Sequence, residues 1–384
     1  MMNLRRLVCI PLILFALNPL YAVNLKLQVL QVFDIIQGNS VENNLQEKEL
    51  AYGAIKGMLE SLKDPYSRFL EPEKYQEMKV NLSGNFFGIG IHIGMKNDKL
   101  TVISPIPDTP ADRSGIRAMD TIVSINRLTT EKMSLDEAVS KIRGPEGSKV
   151  TLTIKREGVE GFLEIGMLRA KIDIKSVDSV QIITGDVGYV RLLSFESKEA
   201  TNELIASLKS LKKKGMKRLI LDLRNNGGGL LSNAQGVSSL FLDQGIVVYT
   251  VDRSGRKMGF PVTPKAQTYE DPLVILINGS SASASEIVAG AIHDNKRGTL
   301  VGTHTFGKAS VQNIIPLGDG SAILLTIAKY LTPNGNNIHG TGIMPDVAVS
   351  IPTADITAFN EGKLIYSIDK DVQLQQANQI VNSL

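Results

Sequence analysis

The sequence predicts a multi-domain α/β protein, and three observations carry that expectation. A chain of 384 residues, 43% hydrophobic and 21% charged, can fill two or three cores. From about residue 173 onward, apolar strand-like runs alternate with amphipathic helix-like runs, the pattern of helices layered on a sheet. Between about 84 and 170 the short runs GIGIHIG, LTVISPI and VTLTIKREG predict a separate, strand-rich domain.

The N-terminus comes first. Residues 1–22 carry Arg5 and Arg6, an apolar run over 7–17, a helix-breaking Asn18-Pro19 and a small Ala22. That is the layout of a secretory signal peptide, too short to cross a bilayer comfortably. The rival reading is an uncleaved anchor, because Leu20 and Ala22 make a mediocre cleavage site. Residues 23–83 read as helical, with Leu50, Ile55, Met58, Leu59 and Leu62 spaced for one face and Asp64-Pro65 ending the helix. In the strand-rich stretch, Thr109 before Pro110 predicts an N-cap, and Ser134 with Glu137 predicts a capping box. Beyond it GYVRLLSF and KRLILDLR are strands flanking the helix KEATNELIASLKSLKKKG, and PLVILIN leads into the helix ASEIVAGAIHDN. A C-terminal helical segment is expected over 353–384.

Charge and composition exclude several functions. The formal charge is +3, and removing 1–22 takes away Arg5, Arg6 and the sole cysteine, Cys9. The remaining chain is nearly neutral and has no electrostatic footprint for nucleic acid. No cysteine nucleophile is available to it. Four scattered histidines, with no HExxH and no cysteine pairs, give no metal site, and no cofactor is expected.

Chemistry could sit in three places. In RLILDLRNNGGGLLSNAQGV a buried strand runs into three glycines, which cost backbone entropy and permit bare amides to face a bound oxygen. Neither GxxxxGK[ST] nor GxGxxG is present, so an oxyanion hole suits the loop better than a phosphate cradle, a plain loop being the alternative. In NGSSASASE, Ser280, Ser281, Ser283 and Ser285 crowd a strand–turn–helix junction, where a hydroxyl is either lifted off the sheet as a nucleophile or caps the helix. A serine needs a proton acceptor. The candidates are His293, His304 and Lys308, the last in LVGTHTFGKASVQN; a lysine serves only if desolvation lowers its pKa. The two SxxK matches, Ser210–Lys213 and Ser254–Lys257, lie in polar surface-like stretches and are chance.

Taken together, DPYSRFLEP, GNFFGIGIHIG, SPIPDTPADRSGI, LDEAVSKIRGPEGSKVTLTIKR, GYVRLLSF, LILDLRNNGGG, NGSSASASEIVAGAIHDN, VGTHTFGKASVQ and GIMPDV resemble, in order, the carboxyl-terminal processing peptidases. These are exported Ser-Lys serine proteases of the tail-specific type that carry a PDZ domain. The resemblance covers most of the chain beyond residue 22. It implies an α/β serine-protease core over 171–352, an inserted PDZ domain over 84–170, and helical N- and C-terminal arms. By position it implies Ser283 as nucleophile, Lys308 as general base 25 residues on, and Gln312 as the residue orienting that lysine. The oxyanion hole would be the N–H of Ala284 and one from the glycine run, Gly228. The family usually reads Asn-Asn-Pro-Gly-Gly, and Gly227 stands here where proline is common, which loosens the loop.

The resemblance further implies that Gly88, Ile89, Gly90 and Ile91 bind a free peptide C-terminus by strand addition. Arg143 would couple that event to the protease site, against the plain reading of a surface arginine ending a helix. The expected partners are proteins or peptides with exposed apolar C-termini, in a periplasmic or membrane-associated setting outside the inner membrane. A homodimer through the arms and an adaptor or membrane association are compatible with the segments. The rival functions are a proteolytically silent PDZ adaptor and a small-ester hydrolase using the same dyad.

Overall fold

The computed structural model describes residues 24–41, 46–96, 98–173, 175–264, 268–350 and 370–384. The leader expected at 1–22, and the expected C-terminal segment as far as 369, lie outside the described residues. Two units divide between Asp64 and Pro65. The first holds helices Leu25–Asn39 and Glu47–Glu60. Asn24 starts the former by accepting the N–H groups of Lys26 and Leu27 at 3.2 and 3.4 Å. The latter buries Tyr52 and Leu59 and stops at Glu60, with Lys63 turned to φ 52°, short of the Asp64-Pro65 break.

The second unit is built on a six-stranded sheet in the order Val177–Thr184, Val187–Leu192, Arg218–Asp222, Leu273–Ile277, Thr299–Gly302, Val347–Ala348. All pairings after the first are parallel. Parallel strands are covered on both faces, which is why LVILI is apolar throughout and all five of its residues are buried. Strand period then sorts the side chains. Leu219, Leu221, Ile275 and Ile277 pack with helices Ala200–Lys213, Leu231–Ser238 and Ala284–Asp294. Ile220, Val274, Leu276 and Val301 pack with Leu374, Ala377 and Val381 of helix Val372–Ser383. Burial of Leu374 and of Val381 contributes roughly 1.5–3 kcal/mol each. The C-terminal helix is therefore a layer of the core, its apolar face spent on the sheet.

A second sheet runs Arg68–Leu70, Ala322–Leu331, Ile246–Asp252, Lys257–Pro261, with Ser310–Pro316 also paired to Ala322–Leu331. Arg68–Leu70 corrects the helical reading of residues 23–83 at that point: Leu70 is needed in a small cluster with Ala322 and Leu324, and only an extended chain pairs there. Between the two sheets in sequence, Asn85–Gly88 pairs antiparallel with Ala170–Asp173. These two strands are the entry to and exit from a sheet of Ile91–Lys96, Lys99–Pro105, Thr121–Ile125, Lys149–Lys155 and Leu163–Leu168, with helix Leu135–Ile142. Ser134 caps that helix by accepting the Glu137 N–H at 3.2 Å. Thr109 occupies the N-cap position before Pro110, but its hydroxyl donates elsewhere, to Ile106 O at 2.6 Å and Gly90 O at 3.1 Å.

Candidate active site

Three loops leave the carboxyl ends of neighbouring parallel strands, the place where open α/β sheets hold their ligands. They follow Arg218–Asp222, Leu273–Ile277 and Thr299–Gly302. The middle one carries the serines. Ser281 donates its hydroxyl to Leu223 O at 2.8 Å and accepts the Asn278 N–H at 2.9 Å. Ser285 donates to Asn226 O at 2.8 Å, and Ala282 N–H donates to the same oxygen at 3.0 Å. These two buried hydroxyls stitch the junction to the glycine loop, while Ser280 lies exposed. Ser283 is different. It sits at φ 55°, ψ −113°, immediately before helix Ala284–Asp294, a conformation side-chain-bearing residues rarely adopt. It borders a cleft of about 630 Å3.

Glu286, three residues on and fully buried, was not singled out in the sequence. Its carboxylate accepts the Ser283 N–H and the Lys308 N–H, both at 2.9 Å. It also accepts the Gly307 N–H at 2.7 Å and the Thr305 hydroxyl at 2.5 Å, and Oε2 lies 3.4 Å from the Tyr330 hydroxyl. One carboxylate thus joins the backbones of the two expected catalytic residues. The signal that could have found it is Ser283-x-x-Glu286, the same capping-box spacing as Ser134-x-x-Glu137.

Lys308 and Gln312 border the same cleft as Ser283. The Lys308 Nζ lies 4.8 Å from the centre of the Tyr66 ring. Gln312 donates its amide Nε2 to Ser310 Oγ at 2.8 Å and Thr326 Oγ1 at 3.2 Å. The other proton acceptors considered lie elsewhere. His304 is exposed, with Nδ1 2.9 Å from Thr305 O, and His293 stands at the far end of the helix between Asp294 and Asp346. Neither borders the cleft.

The glycine loop comes up against the serine elbow. A Cβ on Gly228 would lie 2.8 Å from Ala284 N and 2.6 Å from Ala282 O, and its φ is 97°, so only glycine suits the position. A Cβ on Gly229 would strike the Phe195 carbonyl carbon at 2.2 Å. The Gly228 N–H itself donates to Asn226 Oδ1 at 2.9 Å, so in this arrangement it is engaged within its own loop. Gly227 and Gly229, not Gly228, border the cleft. Gly228 thus sits against Ala284, with its amide turned to another partner.

Behind this loop lies a buried ionic cluster. The Arg224 guanidinium, 1% exposed, donates to Asp222 through Nε and Nη2 and to Asp371 Oδ1 through Nη1 at 3.0 Å, with Nη2 also 2.7 Å from the other Asp371 oxygen as an ion pair; Tyr189 donates to Asp222 at 2.7 Å. Burial alone would raise the Asp222 carboxyl, but the adjoining Arg224 charge and hydrogen bonds hold it below the ordinary value. Asp371 precedes the C-terminal helix, so the cluster pins that layer beside the glycine loop.

In the strand-rich domain, Ile89 O accepts the Ala111 N–H at 2.8 Å and Gly90 O accepts the Ile106 N–H at 2.9 Å, turning both carbonyls into the domain. Gly90 has φ 76°, and a Cβ there would lie 2.4 Å from Thr109 Cβ. Ile91 opens strand Ile91–Lys96, the terminal strand of its sheet. Gly88 closes the preceding strand. Arg143 ends helix Leu135–Ile142 with its guanidinium 4.6 Å from the centre of the Phe86 ring. Burial pulls it below its usual value, and Glu77 opposes that. It shares a cavity of about 690 Å3 with Glu77 and Val80 of helix Pro72–Ser83, so it faces that helix.

Residues 186–349 match peptidase family S41, residues 77–155 match the PDZ domain, and residues 22–74 match the N-terminal domain of the activating protease CtpB. The chain is 44% identical over 311 residues to the carboxy-terminal-processing protease of Bartonella bacilliformis, covering 80% of this chain and 71% of that one. It is 41% identical over 319 residues to the carboxyl-terminal-processing protease of Picosynechococcus, covering 82% and 77%. Among solved structures, the photosystem II D1 C-terminal processing protease aligns with a TM-score of 0.50 at 30% identity, over 85% of this chain and 94% of that one.

Proposed function

The chain belongs to peptidase family S41 and is a serine peptidase with a PDZ domain; from that premise we propose an exported endopeptidase that captures protein carboxyl termini and cleaves by a Ser-Lys acyl-enzyme route. Proteins or peptides are its substrates. The observation that carries the mechanism is that Ser283, on a strained elbow at a helix N-terminus, and Lys308 border one cleft, their backbone amides joined through Glu286.

Ser283 Oγ attacks the scissile carbonyl carbon as its proton passes to Lys308 Nζ. The oxyanion is held by the Ala284 N–H and a second amide from the glycine run, supplied by Gly228 once its bond to Asn226 is given up, or by its neighbours. Lys308 returns the proton to the departing amine, and water then hydrolyses the ester with Lys308 as base. With its Nε2 engaged by Ser310 and Thr326, the Gln312 amide has its carbonyl oxygen as the atom to orient the lysine.

The PDZ domain proper is assigned to 84–170 and the core to 171–352. The inward carbonyls of Ile89 and Gly90 and the edge strand opened by Ile91 support carboxylate capture beside Gly88 with strand addition. Export rests on residues 1–22, and no described helix is long and apolar enough to cross a membrane. Exposed Leu27, Leu30 and Ile35 on helix Leu25–Asn39 support a homodimer; a monomer in sedimentation at micromolar concentration refutes it. The mechanism is tested with an unstructured, apolar-ended polypeptide: wild type yields fragments, Ser283→Ala and Lys308→Ala do not, and full cleavage by either variant overturns it.

A further inference from the structure

We propose that Tyr330 is a positioning residue for this reaction, its hydroxyl fixing the carbonyl side of both Ser283 and Lys308; the inference rests on the Ser-Lys reading. Tyr330 lies in strand Ala322–Leu331, is 1% exposed, and forms part of the cleft wall. Its backbone N–H donates to Ala309 O at 2.9 Å, which ties this strand to the residue after the base. Its hydroxyl donates to Lys308 O and lies 3.2 Å from Ser283 O. Glu286 Oε2 is the third oxygen near it, at 3.4 Å.

The complementarity with Glu286 carries the inference. Glu286 holds the N–H groups of Ser283 and Lys308, and Tyr330 meets the C=O groups of the same two residues. Between them the carboxylate and the phenol restrain the peptide units on either side of each catalytic side chain. One phenol hydrogen faces three acceptors from two segments, the elbow that carries Ser283 and Glu286 and the loop that carries Lys308, so the hydroxyl acts only as a protonated donor. Burial, and then the Glu286 charge, push it well above the ordinary tyrosine value, which keeps that proton in place. Tyr330 acts through backbone carbonyls and not on the scissile bond. Its effect must therefore be read in the rate of the chemical step.

Tyr330→Phe keeps the ring and its packing and removes the hydroxyl alone. The expected result is a kcat lower by roughly 10–100-fold, the scale of a misplacement near 1 Å, with KM within about twofold. Labelling of Ser283 by a fluorophosphonate probe slows by the same factor, while the thermal midpoint moves by only a few degrees. Replacing Tyr330 by 3-fluorotyrosine, which keeps a hydroxyl, retains kcat. Wild-type turnover and labelling in Tyr330→Phe overturn the proposal, as does a loss confined to KM or a 3-fluorotyrosine enzyme as slow as the Phe variant. Ser283→Ala serves as the separate arm: if it still cleaves, the Ser-Lys reading fails; if it is dead while Tyr330→Phe is unimpaired, only the positioning role fails.

Discussion

Glu286→Gln is the most informative single change, because it alters one charge and no volume. The wild-type carboxylate is fully buried and accepts four hydrogen bonds, with the Tyr330 hydroxyl a further contact at 3.4 Å. Glutamine accepts at only one end. If its NH2 replaced Oε2 it would face two N–H donors, those of Ser283 and Lys308, so it turns that group toward Thr305 and Gly307. The Thr305 hydroxyl can rotate, but the Gly307 N–H cannot and is left without an acceptor, at a cost of about 1–3 kcal/mol. The bonds kept to Ser283 and Lys308 lose their charge assistance, which brings the total to roughly 2–4 kcal/mol. Against a typical stability of about 5–15 kcal/mol the enzyme stays folded at 25 °C. Urea unfolding should show that loss, and peptide cleavage should show kcat lower by about 100-fold as the segment carrying Lys308 shifts. A Gln variant with the wild-type unfolding midpoint and turnover would refute the reasoning, since it would mean that the five contacts constrain neither Ser283 nor Lys308.

Other changes probe single features. Ser283→Gly and Ser283→Ala should both be inactive, but glycine relieves the φ 55° backbone and should be about 0.5–2 kcal/mol more stable than alanine by urea denaturation, net of its unfolded-state entropy. Gly228→Ala places a Cβ against Ala282 O and Ala284 N, and should destabilise by about 1–3 kcal/mol and abolish cleavage; a fully active variant would dissociate this loop from the oxyanion. The Asp222 carboxyl is held low in the fold, so its contribution is complete above the unfolded value of about 3.9 and is lost as pH falls through the lower folded value. Stability measured between pH 3 and 7 should therefore fall below about pH 4, less steeply in Asp222→Asn. Gly90→Ala, which would press on Thr109, should weaken binding of a C-terminal peptide measured by calorimetry, with turnover of a short peptide that bypasses the PDZ domain unchanged.

The central sheet was legible because buried parallel strands demand unbroken apolar runs, and LILD and LVILI supply them. Arg68–Leu70 was not, because three residues between helices carry no period and owe their conformation to a partner some 250 residues on. The serine cluster pointed to the elbow, yet only resemblance separated Ser283 from its neighbours. The hydrogen bonds that give Ser281 and Ser285 their role run to Leu223 and Asn226, far off in sequence. Tyr330 was invisible for the same reason: a tyrosine in a strand reads as packing until its hydroxyl is seen among Ser283, Lys308 and Glu286. The engagement of the Gly228 amide by Asn226 depends on a side-chain rotamer, which no spacing encodes.

The paired strands Asn85–Gly88 and Ala170–Asp173 have a consequence beyond this molecule. They bring the two ends of the intervening domain side by side, so that domain behaves as a cartridge plugged into a continuous chain. A lineage could exchange it, or a designer replace it with another peptide-reading module whose termini are equally close, and the hydrolytic centre would keep its scaffold while its client list changed. Selectivity and chemistry could then evolve on separate schedules.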